Sequence, residues 1–136
     1  MHLKPLTILA LICTLVAGDS LSYDPAYDNG LSSINAVACS DGSNGFAKRG
    51  YNTLGSLPRF PYIGGVPAIT SWNSPNCGSC WELTFGNKSM YLLAVDKNSE
   101  YTSSQKAMDT LTGGNAVNFG RINVTAERVS ASKCGM

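Results

Sequence analysis

The chain alternates between short stretches with a two-residue hydrophobic rhythm and longer stretches broken by glycine and proline. Trp81-Glu82-Leu83-Thr84-Phe85 alternates, and Gly86-Asn87 turns it into Met90-Tyr91-Leu92-Leu93-Ala94-Val95. That second segment is apolar on both faces, the pattern of a strand covered on both sides, and Asp96 ends it. Gly120 to Val129 alternates again, with Ile122, Val124 and Ala126 inward and Arg121, Asn123 and Thr125 outward. Ser32 to Cys39 and Val66 to Trp72 read as further strands. Ser103 to Leu111 carries the helical signal: Ser103 or Ser104 as cap, Ala107, Met108 and Leu111 as apolar stripe, Gly113-Gly114 as stop. Tyr23 to Gly30 reads as an extended piece closed by an Asn-Gly turn, and Ser40 to Gly45 as a tight loop. From Lys48 to Gly65 the pattern is irregular, and Pro58 and Pro61 exclude a helix there. Short strands, one helix and long Gly/Pro loops predict a closed β-barrel.

One apolar run stands outside this rhythm. His2 and Lys4 precede an almost unbroken apolar stretch from Leu6 to Ala17, followed by the small residues Gly18, Ser20 and Ser22. That layout is a secretory signal peptide, residues 1–22 with cleavage somewhere in 17–22, ahead of a single domain at 23–136. The run is too short for the ~20 residues that cross a bilayer, so no membrane span is expected. Cleavage removes Cys13 and His2, the only histidine, and leaves Cys39, Cys77, Cys80 and Cys134. An even cysteine count in an exported chain predicts two disulfides.

Charge adds an exclusion. The net charge is +1 and charged residues make up 14% of the chain, which leaves no basic patch for nucleic acid. A neutral surface rich in Gly, Asn, Ser and Thr suits hydrogen bonding to neutral polar ligands.

The segment Trp72-Asn73-Ser74-Pro75-Asn76-Cys77-Gly78-Ser79-Cys80-Trp81 holds both tryptophans and two cysteines. Cys77-Gly78-Ser79-Cys80-Trp81 matches the papain-like nucleophile signature, but a thiol protease needs a histidine roughly 130–150 residues downstream, and this chain ends at residue 136. A redox Cys-x-x-Cys requires a helix after the motif, whereas Trp81 to Phe85 reads as a strand. Zinc held by four cysteines does not suit an exported protein without a second Cys-x-x-Cys, and neither a metal nor a cofactor is expected. Cys77 and Cys80 therefore reach away, one to Cys39 and one to Cys134, in either crossed arrangement.

With the cysteines placed, Tyr23-Asp24-Pro25, Ala36-Val37-Ala38-Cys39-Ser40-Asp41-Gly42, Asn44-Gly45, Pro58 to Gly65, Trp72-Asn73-Ser74, Cys77 to Trp81, Ala94-Val95-Asp96 and Leu111 to Gly114 run in order along the mature chain. In these residues the whole mature chain resembles the cerato-platanin family of small secreted fungal proteins. The resemblance implies a six-stranded double-ψ β-barrel with one or two short helices, related to the first domain of expansins and to barwin-like and endoglucanase barrels. It implies disulfides Cys39–Cys77 and Cys80–Cys134. It further implies an extracellular, cell-wall-associated protein that binds chitin or N-acetylglucosamine oligomers and loosens cellulose without hydrolysis. A plant receptor would read the protein as a defence elicitor. The chain departs from relatives at Lys106 and Asp109 and over Asp96 to Ser104, a loop expected to flank the binding groove.

Asp96 is the sharpest chemical candidate. A carboxylate closing a buried strand suits general-acid work, and the resemblance aligns it with the acid of the endoglucanase and expansin barrels. Hydrolysis needs a second carboxyl, for which Asp41, Glu82, Glu100 and Asp109 are available, and none forms a compelling pair. The expected protein is therefore a non-hydrolytic binder; a weak glycosidase using Asp96, or a surface-active signalling protein, is the alternative. Sugar contacts are expected from Tyr23, Asp41, Asn44, Arg59, Asn73, Ser74 and Asp96, with Arg59 otherwise stacked on an aromatic ring or holding a carboxylate, and Trp81 in the core. Asn87-Lys88-Ser89 and Asn123-Val124-Thr125 are glycosylation sequons.

Overall fold

The computed structural model of the protein describes residues 18–136, so Leu6 to Ala17, His2 and Cys13 lie outside the described residues. Six strands close a barrel: β1 (Asp19–Tyr23), β2 (Ile63–Val66), β3 (Cys80–Phe85), β4 (Lys88–Lys97), β5 (Tyr101–Ser103) and β6 (Arg121–Val129). Around the barrel the order is β1-β5-β2-β4-β3-β6. The β1–β5 and β2–β4 pairs are parallel; the other neighbours are antiparallel. This is the double-ψ barrel, with two short helices, α1 (Gln105–Thr112) and α2 (Ala116–Phe119).

The β3–β4 hairpin forms as its rhythm predicts, in register from Cys80↔Leu93 to Phe85↔Lys88, and Gly86 supplies the positive φ of its turn. Leu92 to Val95 are buried without alternation because the strand is covered on both sides. Beside β4, beyond the start of β3, the Cys39 N–H donates to the Val95 carbonyl at 3.1 Å and the Gly78 N–H to the Ala94 carbonyl at 3.0 Å. The disulfide Cys39–Cys77 staples these two flanking segments together, and Cys80–Cys134 ties the start of β3 to the C-terminal turn. In α1 the Ser104 hydroxyl accepts the Ala107 N–H, and Gly113, left-handed at φ 64°, ends the helix. Ala107, Met108 and Leu111 are buried as its stripe requires. β6 likewise buries Ile122 and Val124 and exposes Arg121, Asn123 and Thr125.

Four local expectations fail. Ser32 to Cys39 is not a strand: Ile34–Ala36 is a 3-10 turn capped by the Ser33 hydroxyl. Its buried residues, Ile34 and Val37, stand three apart, the period of that turn. Val66 to Trp72 is not a strand either, since β2 ends at Val66 and turns follow. Gly64, expected in the irregular stretch, lies inside β2 because a Cβ there would collide with the Thr102 carbonyl of β5. Tyr23 to Gly30 is extended only to Asp24; Pro25–Asp28 is a 3-10 turn opened by Pro25 and capped by Asp24. Nothing in the hydrophobic rhythm announces β1 or β5, which fall in the cleavage window and in the expected loop.

Among the described residues no helix is long and apolar enough to cross a membrane.

Candidate functional site

At its C-terminal end β4 delivers Asp96 to the surface. Three donors meet its carboxylate. The Tyr27 hydroxyl reaches Oδ2 at 2.7 Å, and the backbone N–H groups of Ala38 and Lys97 reach Oδ1 at 2.9 Å each. Burial first, and the bond to Asp96 second, push the Tyr27 phenol above the ordinary tyrosine value. Tyr27, Asp96, Asp24 and Val37 line a hollow of about 170 Å³. Asp24 is the second carboxylate of that hollow, and its Oδ1 is already engaged by the Ala26 N–H at 2.9 Å.

The Ala38 peptide extends the site. Its N–H is held by Asp96, and its carbonyl accepts the Asn73 N–H at 3.4 Å. Asn73 is the sole non-glycine residue with positive φ among the described residues, at 60°, a conformation asparagine tolerates better than most side chains. Asn73 Oδ1 accepts the Asn44 N–H at 2.7 Å while the Asn44 carboxamide donates to the Asn73 carbonyl at 3.0 Å. Gly42 lies directly under the Asn73 side chain, where a Cβ would collide with it. The row ends at Asp41, whose Oδ1 accepts the Trp72 indole N–H at 2.9 Å. That bond, above all, holds the Asp41 carboxyl below the ordinary carboxylate value. Trp72 is 57% exposed. Beside Asp96, Lys97 joins Pro67, Ile69, Thr70, Asn98 and Ser99 around a second hollow of about 400 Å³.

Four sequence candidates, Asp96, Asn73, Asn44 and Asp41, thus stand in one polar row that closes on an exposed aromatic ring. The cerato-platanin family model matches residues 19–136 of this chain. The chain belongs to the cerato-platanin family. It is 45% identical over 123 residues to the heat-stable 19 kDa antigen of Coccidioides immitis (strain RS), covering 90% of this chain and 84% of that one. The crystal structure of cerato-platanin 1 from M. perniciosa matches with a TM-score of 0.82 and 48% identity, over 85% of this chain and 98% of that one. The solution structure of the fungal elicitor Cerato-Platanin matches with a TM-score of 0.75 and 39% identity, over 85% of this chain and 95% of that one. The two disulfides of this cerato-platanin fit an extracellular protein.

The remaining candidates stand elsewhere. Ser74 is buried, and its hydroxyl accepts the Asn76 N–H at 3.1 Å, shaping the turn before Cys77. Tyr23 ends β1, one residue before Asp24. Arg59 lies beside Tyr91, five residues before Asp96 on β4 and so roughly 16 Å along the strand. It stacks on Tyr62 with the guanidinium carbon 5.0 Å from the ring centre, the aromatic alternative foreseen for it. Trp81 packs edge-on against Tyr101 at the margin of the core, with its indole N–H on the Ser79 hydroxyl.

Sequence reasoning missed three members of the row. Tyr27 offered no motif, the Ala38 contribution is backbone only, and Trp72 reads equally well as core. Among the described residues no cluster of three or more His, Cys, Asp or Glu stands ready for a metal ion. Asn87 and Asn123, the two sequon asparagines, are both exposed.

Proposed function

We propose that this cerato-platanin is a secreted, non-hydrolytic carbohydrate-binding barrel. It binds N-acetylglucosamine oligomers of the chitin type along the row from Asp96 to Trp72, and engages cellulose by the same face. The observation that carries this reading is the continuity of the row. Asp96, the Ala38 peptide, Asn73 and Asn44 are linked by hydrogen bonds, and Trp72 lies exposed at the end. Short side chains on a fixed backbone present acceptors and donors with little side-chain entropy left to lose, while the indole face stacks on a pyranose. Three donors already engage the Asp96 carboxylate. By likeness to the fungal elicitor, we extend the reading to recognition by a plant receptor, with cell-wall association as its setting.

NMR titration with N-acetylglucosamine oligomers of increasing length tests it. Amide shifts confined to Ala38, Asp41, Asn44, Asn73 and Lys97, growing with oligomer length, are expected. A silent titration removes chitin from the reading.

One observation favours a second reading, a weak endoglucanase: Asp24 and Asp96 line the same hollow. Release of reducing ends from soluble glucan, abolished in both Asp96→Asn and Asp24→Asn, would replace the binder by an enzyme.

A further inference from the structure

A different hollow, of about 450 Å³, opens around Arg59, Tyr62, Glu82, Ser89, Tyr91 and Thr110. It is separated from the row by half the length of β4. Its base is rigid: Glu82 and Tyr91 are direct cross-strand partners on β3 and β4, the Ser89 hydroxyl is 2.8 Å from that of Thr84, and the Tyr62 hydroxyl is 3.1 Å from that of Thr110.

Arg59 is the unusual member. Tyr62 covers one face of its guanidinium, and Nη2 donates to the Tyr91 carbonyl at 3.3 Å. Its Nε is buried without any hydrogen-bond partner. Among the described residues the one ion pair joins Arg121 to Glu100, so Arg59 has no carboxylate partner although Glu82 lines the same hollow. With Nε buried, the in-plane N–H groups left to a planar anion are those of the Nη atoms, which form a fork held in place by the stacking. Glu82, which lines the same hollow, sets the ligand's other requirement. With Glu127 beside it on β6, it accepts hydroxyl hydrogens and disfavours any negative charge beyond the one that Arg59 neutralises. A dianionic phosphate fits there poorly, and a neutral sugar leaves the Arg59 fork unanswered. A ring bearing one carboxylate and adjacent hydroxyls satisfies both sides.

We propose that this hollow binds a uronic acid unit of an acidic polysaccharide. The carboxylate sits on the Arg59 fork, the ring hydroxyls on Glu82 and Ser89, and the ring against Tyr91. The site is independent of the Asp96 row and gives the protein a second, charge-selective sugar contact.

The test is NMR titration of the full mature chain with trigalacturonic acid, its methyl ester and an N-acetylglucosamine trimer. Trigalacturonic acid is expected to shift the Arg59 side-chain Nε–H and the amides of Tyr62, Glu82 and Tyr91, and to leave Asn73 unmoved. Methyl esterification removes the carboxylate charge and weakens binding by roughly tenfold or more. Added salt weakens binding of the acid and not of the neutral trimer. Arg59→Gln abolishes the uronate shifts; because it also removes a bond to the Tyr91 carbonyl, Arg59→Lys serves as a milder variant that keeps the charge, loses the planar fork and weakens them. Equal binding of acid and ester, shifts centred on Asn73 and Asp96, or no shift at all overturns the proposal. A silent N-acetylglucosamine trimer would instead count against the Asp96 row and leave this hollow's result to stand alone.

Discussion

Asn44 and Asn73 clasp each other through reciprocal hydrogen bonds: backbone N–H to side-chain oxygen at 2.7 Å one way, carboxamide to backbone carbonyl at 3.0 Å the other. The clasp fixes Asn73 at φ 60° and joins the Ser40–Gly45 loop to the segment that carries Trp72. Asn73→Ala loses the acceptor and forces a Cβ without local compensation into the left-handed region, at a cost of about 2–3 kcal/mol. Asn73→Gly relieves the backbone and costs about 1 kcal/mol. Urea unfolding with disulfides intact checks the order; an alanine variant as stable as the glycine variant contradicts the strain argument.

Tyr27→Phe deletes one of three donors on Asp96 and costs roughly 1.5–3 kcal/mol, as for hydrogen bonds to a charged group. The variant keeps the ring that fills the site, so its crystal structure should be unchanged while sugar affinity falls. Unaltered stability by calorimetry would show that solvent replaces the phenol.

Acid acts at the other end of the row. Asp41 has its folded-state value depressed by the Trp72 indole, so its contribution is present above the unfolded aspartate value of ~3.9 and is lost as pH falls through the folded value. The Trp72 indole N–H resonance should therefore titrate with a midpoint below ~3.9. Trp72→Phe should raise the Asp41 carboxyl midpoint towards the ordinary value, with the backbone, Ser40 and Lys48 still holding it down.

Alkali acts through Tyr27 and Tyr101. Burial raises both, Tyr27 further with help from Asp96, and Tyr101 up to about 12 with a smaller push from Asp19. Groups raised on folding stabilise fully below the unfolded value of ~10, and that stability fades as pH rises through the folded values. Absorbance titration should show these two phenols ionising late, together with unfolding. Ionisation of both near pH ~10 in a folded protein would contradict the burial.

The two disulfides close 38 and 54 residues, which in the chain-entropy model stabilise the fold by about 4 kcal/mol each. Their functional consequences should differ. Replacing Cys39 and Cys77 by alanine frees the segment next to Ala38 and should abolish oligosaccharide shifts at Asn73. Replacing Cys80 and Cys134 should lower the melting temperature and spare the row. Equal loss of binding in both pairs would assign the two bridges the same role.

Local chemistry was the legible part of this fold. Ser104 and Gly113 announce both ends of α1, and the Gly86-Asn87 turn announces the β3–β4 hairpin, because each signal is complete within a few residues. β5 has only three residues, too few for any rhythm, and exists because β1 and β2 pair with it on either side. Gly64 and Gly65 mislead for a related reason: they are glycines through close strand approach, which sequence cannot distinguish from a loop. In the site, Asp96 and Asn73 could be read from their motifs, whereas Tyr27 and Trp72 join only through tertiary hydrogen bonds. Arg59 was grouped with residues from which half the length of β4 separates it.

The row between Asp96 and Asn73 passes through the main chain of residue 38, its N–H on one side and its carbonyl on the other, and not through a side chain. Position 38 is already alanine, so an alanine scan would step over the middle of the site without noticing it. Replacing the preceding amide linkage by an ester, which deletes only that N–H, would expose it, and any natural residue that fits there could drift freely without altering what the surface offers.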